Sequence, residues 1–475
     1  MFSVHAVFTA SSHGMVTSSL LFLRILVFPR EGVQLFKLDL MKHGARVAAA
    51  IELLGELDGL WQQEGRRSPA DVVLARYYRQ RRFIGSKDRR EISRQVYGVL
   101  RHEAQLEWWL KRSRRVRSPR GMVLGGLVFL DSLSLLELGG LFNGDLYCPD
   151  HLSVEETEWV QANVEQPLLH SDMPESVELN YPGWMQPMLQ EVLGDQLAVA
   201  MAALNAEASV DLRVNTLKAT RQQVMAALRE EEMEPVPTPF AADGVRLKKR
   251  GALTAMQAFR DGWFEIQDEG SQLVAELVKA RPGETGIDFC AGAGGKTLAL
   301  SARMENRGRI LACDIAAARL KQMTPRLGRA GVSIVKTRIL ESERDSYLEK
   351  HVASADWVLL DVPCSGTGLW RRSPDLKRRT SQRGLEEVTK QQHQIADSAA
   401  RLVKPGGRLV YATCSILRQE NEDQVDRFLA THSEFSAQPV SLPTAKDETA
   451  PYLKLFPHQH ETDGFFGAVL VKGEA

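Results

Sequence analysis

The chain has 475 residues, 60 Lys and Arg against 60 Asp and Glu, and a formal net charge of zero, so its total charge favours no class of partner. That length holds about two to four ordinary domains, and a composition 44% hydrophobic and 25% charged buries a sizeable core without staples. Five scattered cysteines with no C-x-x-C pair exclude a disulfide framework and a zinc clip, and point to a reducing compartment, the cytoplasm.

Residues 1–40 do not read like the rest. Their apolar run from Leu20 to Phe28 is short, is interrupted by Arg24, and has no Lys or Arg before it, so neither a membrane span nor a signal peptide fits. Amphipathic helical spacing begins at Met41, with Ala45, Val47, Ala48, Ile51, Leu53 and Leu54. Met41 is therefore the expected natural start, and residues 1–40 a non-native or disordered extension. Residues 41–150 predict a helical domain. Its stripe runs through Val72, Val73, Ile92, Val96 and Val99 to Trp108 and Trp109, and Met122 to Leu141 completes it. Asp131 and Glu137 keep that last stretch from being a span. From Arg66 to Arg120, 17 Lys and Arg stand against 5 Asp and Glu, whereas Gly121 to Leu212 holds no Lys or Arg at all. Such segregation suits a phosphate-binding face more than merely solvated helix faces.

Residues 151–205 read as an acidic helical connector, broken at Tyr181-Pro182-Gly183-Trp184. The period then changes. Asp211 to Asn215 alternates like a strand, Arg221 to Glu230 is helical, and Val245 to Leu247 is a second strand. Together they predict a small α/β, RRM-like domain over residues 206–260. Residues 261–475 alternate strand and helix. Strands are expected at Ile287 to Phe289, Arg309 to Asp314, Ile334 to Thr337, Trp357 to Leu360 and Arg408 to Tyr411. This order predicts an α/β fold with a mostly parallel, doubly wound, Rossmann-like sheet.

Between the first of those strands and its helix lies Asp288-Phe289-Cys290-Ala291-Gly292-Ala293-Gly294-Gly295-Lys296-Thr297. Glycines allow a tight turn and close approach of a ligand, and the helix N-terminus offers free N–H groups to an anion. The spacing is wrong for a Walker A loop. Asp314 ends the next strand, where a carboxylate can accept from both ribose hydroxyls or simply cap a helix. Loop and Asp314 together indicate a nucleoside cofactor, NAD-like or S-adenosylmethionine.

Two cysteines follow apolar strands, in Asp361-Val362-Pro363-Cys364-Ser365-Gly366-Thr367-Gly368 and in Ala412-Thr413-Cys414-Ser415. One such cysteine is usually a small core residue; two at strand ends suggest chemistry. Carbon 5 of cytosine is a poor nucleophile. A thiolate added at carbon 6 makes it enamine-like, so that it can take an electrophilic methyl group. Asp361 is placed to bond the base's amino group and ring nitrogen 3.

These motifs resemble the RsmB-type (Fmu, Nop/Sun) RNA 5-methylcytosine methyltransferases. The likeness extends to Trp370-Arg371-Arg372-Ser373-Pro374-Asp375, Lys404-Pro405-Gly406-Gly407, Glu420-Asn421-Glu422, Arg213-Val214-Asn215-Thr216, Gln267-Asp268 and Asp463-Gly464-Phe465-Phe466, and covers about residues 210–475. The resemblance implies Cys414 as nucleophile, Cys364 as the thiol that assists product release, and Asp361 and Lys296 at the reacting centre. It implies S-adenosylmethionine held by Cys290, Ala291, Gly292, Ala293, Gly294, Gly295, Lys296, Asp314, Arg319 and Asp361. The sequence departs from the family in Ala-Gly-Ala-Gly-Gly-Lys for Ala-Pro-Gly-Gly-Lys, and no acidic residue lies in Ile334 to Thr337 for the adenine side.

Arg371, Arg372, Lys377, Arg378, Arg379 and Arg383 follow the Cys364 motif and suggest a loop gripping RNA phosphates. The expected partner is RNA, ribosomal before transfer RNA, met by a monomer without membrane or metal. The helical region resembles the NusB-like RNA-binding domain of some family members. Two other readings remain open: a transfer RNA cytosine-5 methyltransferase, and a catalytically idle RNA-binding assembly factor. A nicotinamide oxidoreductase leaves the two strand-end cysteines without a use.

Overall fold

Apolar residues at three- and four-residue spacing build the N-terminal layer. In the helix His43–Gln62 the buried face is Val47, Ala50, Leu53, Leu54 and Leu57. Helices Ala70–Gln80, Ser86–Arg101, Glu103–Arg112 and Pro119–Phe129 close around it. The apolar stretch from Met122 to Leu141 falls in two helices. Leu135–Leu141 starts afresh from a capping box of Ser134 and Glu137. This computed structural model describes residues 41–62, 68–248, 251–441 and 448–474, so the reading of residues 1–40 lies outside the described residues. No helix among the described residues is long and apolar enough to cross a membrane.

Residues 151–205 pack into two different cores. Trp159, Val160 and Met173 are buried in the N-terminal helical core, whereas Tyr181, Met185, Leu189, Leu197 and Met201 pack with Trp370, Ile416 and Leu417. Acidic exposed faces hid two apolar stripes, each owned by a different neighbour. The small sheet also differs from expectation. Strands β1 (Val210–Val214), β2 (Pro235–Pro237), β3 (Gly244–Leu247) and β4 (Phe264–Ile266) lie antiparallel in the order β2-β3-β1-β4. Its fourth strand thus falls beyond residue 260, because Phe264 belongs with Leu212, Val214 and Val245 in that domain's core.

The large sheet takes β5 (Thr285–Asp288), β6 (Arg309–Asp314), β7 (Val335–Ile339), β8 (Ala355–Asp361) and β9 (Val403–Thr413) in parallel. After β10 (Phe435–Gln438), a short pair β11 (Val440–Ser441) and β12 (Thr449–Ala450), and β13 (Leu453–Leu455), the chain returns through β14 (Phe465–Lys472), antiparallel to β9. The order is β10-β14-β9-β8-β5-β6-β7. Trp357, Val358, Leu359 and Leu360 are fully buried, as a continuous apolar strand covered on both faces must be. The chain runs from β5 to one side through β6 and β7, then crosses to β8 on the other. This makes the carboxyl ends of β5 and β8 the switch point where such sheets open a crevice.

Candidate active site

The crevice is a cavity of about 840 Å³, within the range of small-molecule sites. The glycine loop forms one wall. Gly292 and Gly294 adopt positive φ, 55° and 84°, and a Cβ on Gly294 would meet Met323 Cγ at 2.6 Å. The chain can therefore turn under the helix Gly295–Arg303 only without side chains there. Arg326 donates to the carbonyl of Ala293 at 2.7 Å while pairing with Glu265, and Arg213 donates to that of Gly295 at 2.6 Å. Two arginines, one of them from β1 of the small domain, thus hold a loop that lacks the family's proline.

Asp314 sits at the end of β6. One of its oxygens accepts from the Gly292 N–H at 2.8 Å and the other from Ala316 at 2.7 Å. Each oxygen keeps a second lone pair for a ribose hydroxyl. Cys290, Ala291, Ala293 and Arg319 also line the cavity, Arg319 on its exposed rim. Asp288 carried no role in the sequence reading. It is 1% exposed; one oxygen accepts from Thr297 Oγ1 at 2.6 Å and the other has no hydrogen-bond partner among the described residues. Burial pushes its carboxyl up to about 7, against the pull of the Thr297 hydrogen bond.

The missing acidic residue has a structural answer. Strand β7 continues to Ile339, past the expected end at Thr337, and the residues that follow it, Leu340 and Glu341, line the cavity. Two exposed positive or polar positions in the strand, Lys336 and Arg338, hid its true length.

Opposite the loop, parallel pairing of Asp361 with Ala412 brings the two cysteine segments together. The sulfurs of Cys364 and Cys414 lie 3.1 Å apart. The hydrogen bond to Cys414, then burial, then the charge of Cys414 and after it that of Glu420 push the Cys364 thiol well above its usual range. Lys296 Nζ donates to Asp361 at 2.6 Å, the lysine side chain being 10% exposed. Burial opposes its charge, but Asp361, Cys414 and Asp288 outweigh burial and raise its pKa. Lys296 therefore stays an ammonium close to Cys414. Gly368 N–H donates to the Cys414 carbonyl and Gly464 N–H to the Gly368 carbonyl, locking the cysteine loops to the start of β14.

The basic run after Cys364 does not form the expected phosphate grip. Arg371 and Arg372 are held by Asp463 at 2.6 and 2.8 Å and both reach Asp268. Arg378 pairs with Asp58 and Glu103 of the helical layer, Arg379 with Asp375, and Lys377 bonds Asn205. Arg383, its side chain 87% exposed, faces solvent as expected and pairs with Glu387, and Arg372 is 37% exposed beside its two carboxylates. Arg371, Arg372 and Arg378 are paired with acids about ninety to three hundred residues away, which no local window displays. Among the described residues no group of His, Cys, Asp and Glu could hold a metal ion.

The cavity suits a nucleoside cofactor with an anionic tail: glycine cradle, helix N-terminus and strand-end carboxylate converge on it. Comparison with known proteins agrees. Residues 275–471 match the family model for the 16S rRNA methyltransferase RsmB/F, and residues 181–254 match the ferredoxin-like domain of RsmF/B-like methyltransferases. A Synechocystis protein described as probable ribosomal RNA small subunit methyltransferase B is 34% identical over 302 residues, 62% of this chain and 67% of that protein. Ribosomal RNA small subunit methyltransferase B of Salmonella heidelberg is 29% identical over 411 residues, 82% of this chain and 92% of that protein. The crystal structure of a methyltransferase homologue from Pyrococcus horikoshii superposes with a TM-score of 0.56 at 27% identity, covering 64% of this chain and all of the other.

Proposed function

The chain belongs to the RsmB/F methyltransferase family, and from that premise we propose that it transfers a methyl group from S-adenosylmethionine to carbon 5 of a cytosine in ribosomal RNA. The carrying observation is the 3.1 Å pairing of Cys364 with Cys414 in the cavity that also holds the Lys296–Asp361 pair and the glycine loop. Ribosomal rather than transfer RNA is favoured by the names of the relatives.

When bound, the cofactor supplies an electrophilic methyl group. Gly292, Gly294 and the first turn after Gly295 would hold the carboxylate of its amino-acid tail, Asp314 its ribose, and Leu340 and Glu341 its adenine side. Cys414 adds to carbon 6 of the cytosine as a thiolate, which the Lys296 ammonium stabilises. Asp361, oriented by Lys296, accepts from the amino group of the base. Carbon 5 then carries the electron density to take the methyl group, loses its proton to a base, and Cys414 is expelled. Cys364, held as a thiol against the Cys414 sulfur, donates to that sulfur as it departs. The target base must leave its stack to reach this depth.

Bisulfite sequencing of RNA from cells lacking the gene, complemented with wild type or Cys414→Ala, tests the reading. One ribosomal cytosine should lose protection on deletion and regain it with wild type alone. Loss at no RNA cytosine would overturn the cytosine chemistry. Cys364→Ala should accumulate a covalent RNA adduct, visible as a shifted band on a denaturing gel.

A further inference from the structure

Glu420 is fully buried just after the Cys414 segment, in a stretch to which no chemistry attaches so far. Its two oxygens collect donors from both cysteine loops. One accepts from the Ser365 N–H at 2.7 Å and from Gln392 Nε2 at 3.1 Å. The other accepts from the Ser365 hydroxyl at 2.5 Å and from the Ser415 hydroxyl. Ser365 follows Cys364 and Ser415 follows Cys414, so one carboxylate holds the residue next to each thiol. Gln392, on the helix Gln382–Ala400, also donates to the Pro363 carbonyl at 2.9 Å, gripping the Cys364 loop from its other side. Tyr411 of β9 donates to the Glu420 carbonyl at 2.7 Å and so fixes the backbone of the anchor itself.

We propose that Glu420 is the positioning residue of the cysteine pair: by accepting from Ser365 and Ser415 at once, it sets the approach of Cys364 to Cys414. The reading rests on the role assigned above to the two thiols. Four donors converging on two oxygens fit the acceptor-only carboxylate form. The charge has a second consequence, since a negative group beside Cys364 disfavours its thiolate. The two sulfurs therefore differ: Cys364 keeps its proton and donates, and Cys414 is left to act as nucleophile.

The test is site-resolved alkylation of the full chain with iodoacetamide across pH, read by mass spectrometry, together with cofactor binding and RNA methylation rates. Glu420→Gln is isosteric, and both serine hydroxyls can turn to suit an amide, so the fold has a route to accommodate it. In this variant the midpoint for Cys364 alkylation should fall by about one pH unit or more. Its kcat should drop about 10²-fold with the KM for S-adenosylmethionine little changed. If Glu420→Gln fails to bind cofactor, the Ser365→Ala/Ser415→Ala pair carries the test. It keeps the charge but frees the loops, and should lower the same midpoint by loosening the contact with Cys414. An unmoved Cys364 midpoint in the folded variant, or wild-type kcat, overturns the proposal. Wild-type protein that methylates no RNA would sink the cytosine reading alone, because the alkylation midpoints are read without any turnover.

Discussion

Asp288→Asn should make the protein less sensitive to alkaline pH. The buried carboxyl is raised from 3.8 to about 7, chiefly by burial. At about 1.4 kcal/mol per unit, its ionised form costs the fold about 4 kcal/mol relative to an exposed aspartate. The folded state binds this proton more tightly than the unfolded state. Its contribution is therefore most favourable below pH 3.8, declines as pH rises through the window up to about 7, and is flat above. Between pH 5.5 and 8.5 the wild type should lose about 2 kcal/mol through this group alone. Asparagine keeps an acceptor for Thr297 and has no charge to bury, so the variant should lack that increment. Urea unfolding at both pH values, for both proteins, measures the difference; all other titrating groups are shared and cancel. Equal pH slopes in the two proteins would refute the argument, and would mean that the second oxygen of Asp288 is solvated in the cavity rather than stranded.

Lys296→Met leaves Asp361 without its 2.6 Å partner; kcat should fall about 10²-fold or more, measured by methyl transfer to unmodified ribosomal RNA. In Gly368→Ala the added Cβ would sit 2.2 Å from the Gly464 carbonyl oxygen, against backbone that cannot swing away. Overpacking of this kind costs about 1–3 kcal/mol, seen as a lower Tm together with slower turnover. Arg371→Gln strips a buried pair with Asp463 and should destabilise by less than the about 3–5 kcal/mol of a fully unpaired buried charge, because Arg372 still pairs with Asp463 and Asp268. The salt dependence of RNA binding should nevertheless keep its slope, because that guanidinium is committed inside the protein; a reduced slope would restore the phosphate-grip reading.

Motif-bearing segments were legible in advance because their signals are local. A glycine turn between strand and helix, an acidic residue closing the following strand, and cysteines just beyond two apolar strands are each written within about ten residues. The secondary-structure order then dictates that parallel strands deliver all of these to one edge of the sheet. That logic located Lys296, Asp314, Asp361, Cys364 and Cys414 on the walls of a single cavity. It also marked Glu420 as part of a motif without saying what it holds.

Sequence alone thus determined the strand and helix periods, the doubly wound sheet and the candidate residues that line its crevice, because hydrophobic repeat and turn chemistry act over short stretches of chain. Tertiary structure alone decided which charges are spent. Arg371 and Arg372 look like an RNA grip until Asp463 and Asp268 are brought beside them, and Arg378 until the helical layer supplies Asp58 and Glu103. It also divided residues 151–205 between two cores, gave β4 to the small sheet, and set both cysteine loops on one buried carboxylate. Each of these is a pairing across large sequence separation. A buried charge takes whichever partner the fold presents, and that partner has no signature in its own neighbourhood.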